Sequence, residues 1–155
     1  MKIVHSMIVA AGLVGLALAM IQLQDSRAAS QSPQAEAKWL IVNYWSEWCA
    51  PCRLEIPVLN ALNETLSSTN VTIVGVNFDE DPQGITLSIA ADMGIEFPTL
   101  AMDVVAEFKL RAPDVLPTTY ILSPAREVVA KMIGAQTEES LLAQLASLNL
   151  PVGKD

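Results

Sequence analysis

Cys49 and Cys52 are the only cysteines of this 155-residue chain, separated by Ala50 and Pro51. Two thiols at that spacing can close an intramolecular disulfide or be presented together to a partner. They follow Trp39–Trp45 (WLIVNYW), an apolar, β-rich run that reads as a strand buried on both faces. They precede a stretch from Pro51 to Ser67 whose Leu59, Leu62 and Leu66 fall on one helical face. The pair thus sits where a strand hands over to a helix. There the unpaired backbone N–H groups and the helix dipole favour a thiolate, the form of cysteine that attacks sulfur. Lowering a thiol pKa from about 8.5 to about 7 corresponds to roughly 2 kcal/mol of anion stabilisation. Pro51 suits the first helical turn because it gives up no needed N–H.

Other chemistries are excluded by composition. The one histidine is His5, so everything after it lacks an imidazole. A Ser-His-Asp triad, a Cys-His dyad and a His-ligated zinc are all ruled out there. Two cysteines cannot complete a four-ligand zinc site without a second chain, so no metal is expected. Formal net charge is -8 with no basic cluster, which argues against nucleic acid as a partner.

Residues 1–28 form an N-terminal signal peptide or membrane anchor. Met7 to Leu23 is apolar except for Gln22 and is preceded by Lys2, the charge layout of a secretory leader. At about 1.5 Å per residue it nearly spans a hydrocarbon layer of roughly 30 Å. Ser26-Arg27-Ala28 offers a cleavage site. Cleaved or retained, the segment sends the rest of the chain across a membrane into an oxidising compartment. Residues 29–38, rich in Ser, Gln and Ala, read as a flexible tether.

Residues 39–150 form one domain. Val71 to Phe78 reads as the second strand, Asp79 to Pro82 as a turn, and Gln83 to Met93 as a helix stopped by Gly94. Phe97 to Met102 gives a short extended piece and Val104 to Leu110 a turn or two of helix. Thr118 to Leu122 and Glu127 to Ile133 form a hairpin. Thr137 caps a last helix along Leu141, Leu145 and Leu148, which Pro151 stops. Pro57 should kink the first helix. Parallel βαβ units followed by antiparallel strands imply an α/β fold, a central mixed β-sheet flanked by helices on both faces.

At this point the chain resembles the thioredoxin superfamily, and within it the membrane-anchored or secreted thiol-disulfide oxidoreductases of the TlpA/ResA type, which include cytochrome c maturation proteins. The resemblance rests on Val42 to Cys52 (VNYWSEWCAPC), on Arg53 to Pro57 (RLEIP), on Val115 to Leu122 (VLPTTYIL) and on Gly134. It implies a thioredoxin fold with Cys49 as the accessible nucleophile and Cys52 as the shielded resolving thiol. Trp48, Ala50, Pro51, Leu116, Pro117 and Thr118 would support the site and bind substrate. If the bond before Pro117 is cis, the Leu116 backbone faces the Cys pair and can hold a peptide strand. Trp45 reads as core.

Thioredoxin itself carries an Asp where this chain has Asn43, and Asn cannot act as a general base. Glu80 is then a candidate proton relay to Cys52, with a turn carboxylate beside Asp79 and Asp81 as the plainer reading. Glu55 reads as a solvated helix residue. Many family members begin with an N-terminal hairpin, which is expected to be absent or reduced here, where only the short tether precedes Trp39.

The resemblance implies a monomeric protein-disulfide reductase on the extracytoplasmic face of the cytoplasmic membrane, with no cofactor beyond its own disulfide. A transmembrane thiol reductase would supply electrons, and a disulfide-containing protein, apocytochrome c first, would accept them. A disulfide-forming oxidase or isomerase is an alternative, because Ala50-Pro51 does not fix the reduction potential. A non-catalytic adaptor or soft-metal binder is another.

Overall fold

The structure is a computed structural model, and it describes residues 38–100, 106 and 108–150. In chain order the elements are β1 (Trp39–Trp45), α1 (Ala50–Leu66), β2 (Val71–Asn77), α2 (Gln83–Asp92), β3 (Thr99–Leu100), β4 (Thr118–Leu122), β5 (Val128–Ile133) and α3 (Glu138–Ser147). The expectations for the leader or anchor, for the tether up to residue 37, for residues 104, 105 and 107 of the helix over 104–110 and for Pro151 lie outside the described residues; of the rest of that helix, residue 106 is helical and 108–109 form a turn. No helix among the described residues is long and apolar enough to cross a membrane.

The sheet has the order β3-β2-β1-β4-β5. β1 pairs parallel with β2 and antiparallel with β4, β2 pairs parallel with β3, and β4 pairs antiparallel with β5. β1 is therefore central, and all but its first residue are buried, as its unbroken apolar run requires. Its register puts Asn43 opposite Gly75 on one side and Thr119 on the other.

Alternation along the strands sorts side chains to two faces. Ile41, Ile73 and Ile121 pack against Leu59, Leu62 and Leu66 of α1 and Leu141 and Leu145 of α3. On the opposite face Leu40, Val42, Tyr44, Val74, Val76, Tyr120 and Leu122 are covered by Phe78, Leu100, Phe108, Leu110 and Leu116. α1 runs unbroken through Pro57, where the proline frees the carbonyl of Arg53, an exposed residue. α3 opens on a capping box in which the Thr137 hydroxyl accepts from the Ser140 N–H while Ser140 Oγ accepts from the Thr137 N–H.

Candidate active site

Three elements converge on the cysteines. β1 ends at Trp45, a turn over Ser46 to Trp48 follows, and α1 begins at Ala50 with Cys49 as its N-cap. The two cysteines form a disulfide. Cys49 Sγ accepts from the backbone N–H of Cys52 at 3.3 Å. This sulfur thus lies at the positive end of α1, where an anion is favoured. Arg53 braces the turn by donating from Nε and Nη2 to the Glu47 carbonyl at 3.2 and 2.9 Å.

Access to the sulfurs is tighter than expected. Cys49 keeps 3% of its surface and Cys52 none. The order of exposure is the expected one, yet an openly accessible Cys49 is not what the oxidised protein shows. The reason is packing: the disulfide closes against buried Trp45 and Ala90, with Ile89, Met93, Ile95 and Leu116 around them. A reaction partner reaches the pair only along the edge of Cys49.

That edge is framed by exposed groups. Trp48 is 66% exposed, and Ala50, Pro51 and Leu54 also face solvent. Trp48 is held in place. Its Nε1 donates to Asp79 Oδ1 at 3.0 Å, and its ring meets Phe78 edge-on at 6.4 Å. Asp79 Oδ2 accepts from Ser46 Oγ at 2.8 Å, so one carboxylate grips the turn at two points.

The loop before β4 completes the surround. The Leu116–Pro117 peptide bond is cis. Leu116 is half-buried and packs against the disulfide cluster. Pro117 is buried, and its carbonyl accepts from the Gly134 N–H at 2.9 Å. Thr118, also buried, donates from Oγ1 to the Val115 carbonyl at 2.8 Å and lies opposite Tyr44 of β1.

Two acids flank this region, one exposed after β2 and one buried on α1. Glu80 is exposed in the turn after β2 with φ 57°, and its charge is felt by Tyr44. Burial first, then the charges of Tyr120 and Glu80, push the Tyr44 hydroxyl up to about 12, so it stays protonated at neutrality. A second acid, Glu55, stands on α1 itself. Glu55 is 1% exposed, a correction to its reading as a solvated helix residue. It stands three residues after Cys52, on the same side of α1.

Burial pushes the Glu55 carboxyl above the usual carboxylate range, while hydrogen bonds from the Gln136 N–H and the Asn43 amide pull it back. Those bonds are 2.9 Å to Oε2 and 2.7 Å to Oε1. Asn43 is itself fully buried, and its Oδ1 has no partner. Such an orphan costs about 1–3 kcal/mol.

The signal for Glu55 was in the sequence. Cys52, Glu55, Leu59, Leu62 and Leu66 step along one side of α1 at three- and four-residue intervals, and all five are buried. For Asp79 no local pattern exists, because β2 brings it to Trp48 from 31 residues away.

Against known proteins, the AhpC/TSA family model matches residues 14–131. The chain is 32% identical over 108 residues to the thiol-disulfide oxidoreductase ResA of Bacillus subtilis (strain 168), covering 68% of this chain and 59% of the relative. It is 27% identical over 117 residues to the ResA protein of Bacillus thuringiensis (strain Al Hakam), covering 73% of this chain and 65% of the relative. The chain thus spans less than two thirds of the length of these curated relatives. Among solved structures, a DsbF homologue from Corynebacterium diphtheriae superposes with a TM-score of 0.58 at 28% identity, covering 72% of each chain. The mixed sheet and its helices are a thioredoxin fold.

Proposed function

This chain belongs to the AhpC/TSA family, and on that premise we propose that it is an extracytoplasmic thiol-disulfide oxidoreductase that reduces disulfides in partner proteins. The observation that carries this reading is the Cys49–Cys52 disulfide at the N-terminus of α1, with only Cys49 retaining a solvent edge. In the reduced protein the Cys49 thiolate attacks a substrate disulfide. One substrate sulfur becomes bonded to Cys49 and the other leaves as a thiolate. Cys52 loses its proton and attacks Cys49 Sγ, which re-forms the internal disulfide and releases the second substrate thiolate. The Glu55 carboxylate, three residues along α1, takes the Cys52 proton, a role supported by the burial that raises its proton affinity. Trp48, Ala50 and Pro51 give the substrate a surface, and Leu116 offers its backbone to a substrate strand.

Two electrons must then come from outside. The family resemblance supports a transmembrane thiol reductase as donor and apocytochrome c or an assembly factor as acceptor. The apolar N-terminal run supports attachment to, or export across, the cytoplasmic membrane. The protein acts as a monomer, with its own disulfide as the only redox group.

The test is a pair of variants of the full-length chain, incubated with a cystine-containing peptide. Cys52→Ala should accumulate a mixed disulfide at Cys49, seen as a mass increment that dithiothreitol removes. Cys49→Ser should form none. A mixed disulfide trapped on Cys52 instead, or none in either variant, would refute the assignment of roles.

A further inference from the structure

The bonding of the Asn43 side chain is lopsided. Both Nδ2 hydrogens are engaged, one on Glu55 Oε1 at 2.7 Å and one on Thr119 Oγ1 at 3.1 Å, while Oδ1 is buried with no partner. The other Glu55 oxygen, Oε2, accepts from the backbone N–H of Gln136. A backbone donor cannot reverse its role. A proton arriving on Glu55 therefore settles on Oε1, leaving Oε2 as the acceptor. Oε1–H would then face Nδ2, donor against donor.

A half-turn of the Asn43 amide removes that conflict. Oδ1 takes the place of Nδ2 and accepts from Glu55 Oε1–H. It also accepts from the Thr119 hydroxyl, a group able to donate as well as accept. The place without a partner then falls to Nδ2. We propose that Asn43 is the positioning residue for the Glu55 proton, its amide turning over as Glu55 passes between carboxylate and carboxylic acid. The hydrogen-bond partners of Glu55 are neutral on every element that packs there: Asn43 on β1 and the Gln136 N–H ahead of α3, with Thr119 of β4 behind Asn43. Along α1 the neighbour able to ionise is Cys52, which the disulfide keeps from titrating.

In the oxidised state, then, Glu55 and Asn43 form a two-position unit. It stores a proton in one position and releases it in the other. This deepens the role given to Glu55 above and rests on that reading for its use in catalysis, though not for its geometry.

The experiment is an NMR titration of the oxidised full-length chain, labelled with ¹³C and ¹⁵N and kept in detergent micelles. Glu55 Cδ reports the proton. The contact between the Asn43 amide protons and the Thr119 side chain, read as a nuclear Overhauser effect, reports the amide. The contact should be present while Glu55 is ionised and lost at the Glu55 midpoint. In Glu55→Gln the new amide nitrogen faces Asn43 as a permanent donor, so the contact should be absent at every pH. A contact that persists through the titration or in E55Q overturns the proposal. So does a Glu55 that stays ionised until acid unfolds the chain. The wild-type titration decides alone if E55Q does not fold. Failure of the wild-type protein to exchange thiols would refute the oxidoreductase reading and leave this contact unaffected.

Discussion

At Glu55 two forces act on one carboxyl. Burial raises its proton affinity, and two donated hydrogen bonds lower it by less. The folded protein holds this proton more tightly than the unfolded chain does, so the stabilisation is complete below the ordinary carboxylate range. It is lost as pH rises through the raised Glu55 value. Denaturant unfolding of the oxidised protein at a series of pH values should show that decline. Glu55→Gln should flatten it, since the amide cannot titrate. A decline of unchanged size in the variant would place its origin elsewhere. The same residue marks a limit of sequence reading. A glutamate near a CxxC looks solvated until its position is counted against the buried leucines of α1. Glu80, offered as a relay by the family resemblance, lies exposed in a turn with φ 57°.

At the scale of elements, β2 and α3 each bring one dependence that can be measured. Gly75 of β2 lies directly under Trp45: a Cβ there would come within 2.7 Å of Trp45 Nε1 and 3.1 Å of Phe97 Cε2. Trp45 is buried against the disulfide, so it has little room to give. Gly75→Ala should cost about 1–3 kcal/mol in unfolding free energy and change the tryptophan fluorescence of the native state. An unchanged midpoint and spectrum would show that the sheet absorbs the methyl. Thr137→Ala removes the cap of α3 and should cost about 1 kcal/mol, read from the same denaturation curves. The strands, α1 and the Thr137 cap were legible in the sequence to within a residue or two, because each is written in local periodicity and capping chemistry. What sits under Trp45 was not, since pairing of β1 with β2 joins residues more than thirty positions apart. The same distance hid Asp79 from any reading of Trp48.

For the whole molecule, the fold places one sulfur at a helix N-terminus with a sliver of exposure and hides the other completely. CxxC spacing, Leu116-Pro117 and the flanking strands made that arrangement readable from the sequence. The depth of burial was not readable, because it arises from Ala90 of α2 and Leu116 closing over the pair from separate segments. The direction of electron flow is a property of the molecule as a whole, set by how strongly it stabilises the Cys49 thiolate against the disulfide. Redox equilibration of the full-length chain, with the ionisation of Cys49 followed in the same reduced samples, measures both. A reductase should give a potential below about −250 mV with a Cys49 thiol that ionises below the ordinary value of about 8.5. A potential near about −120 mV, the range of strong disulfide-forming oxidants, would contradict the account.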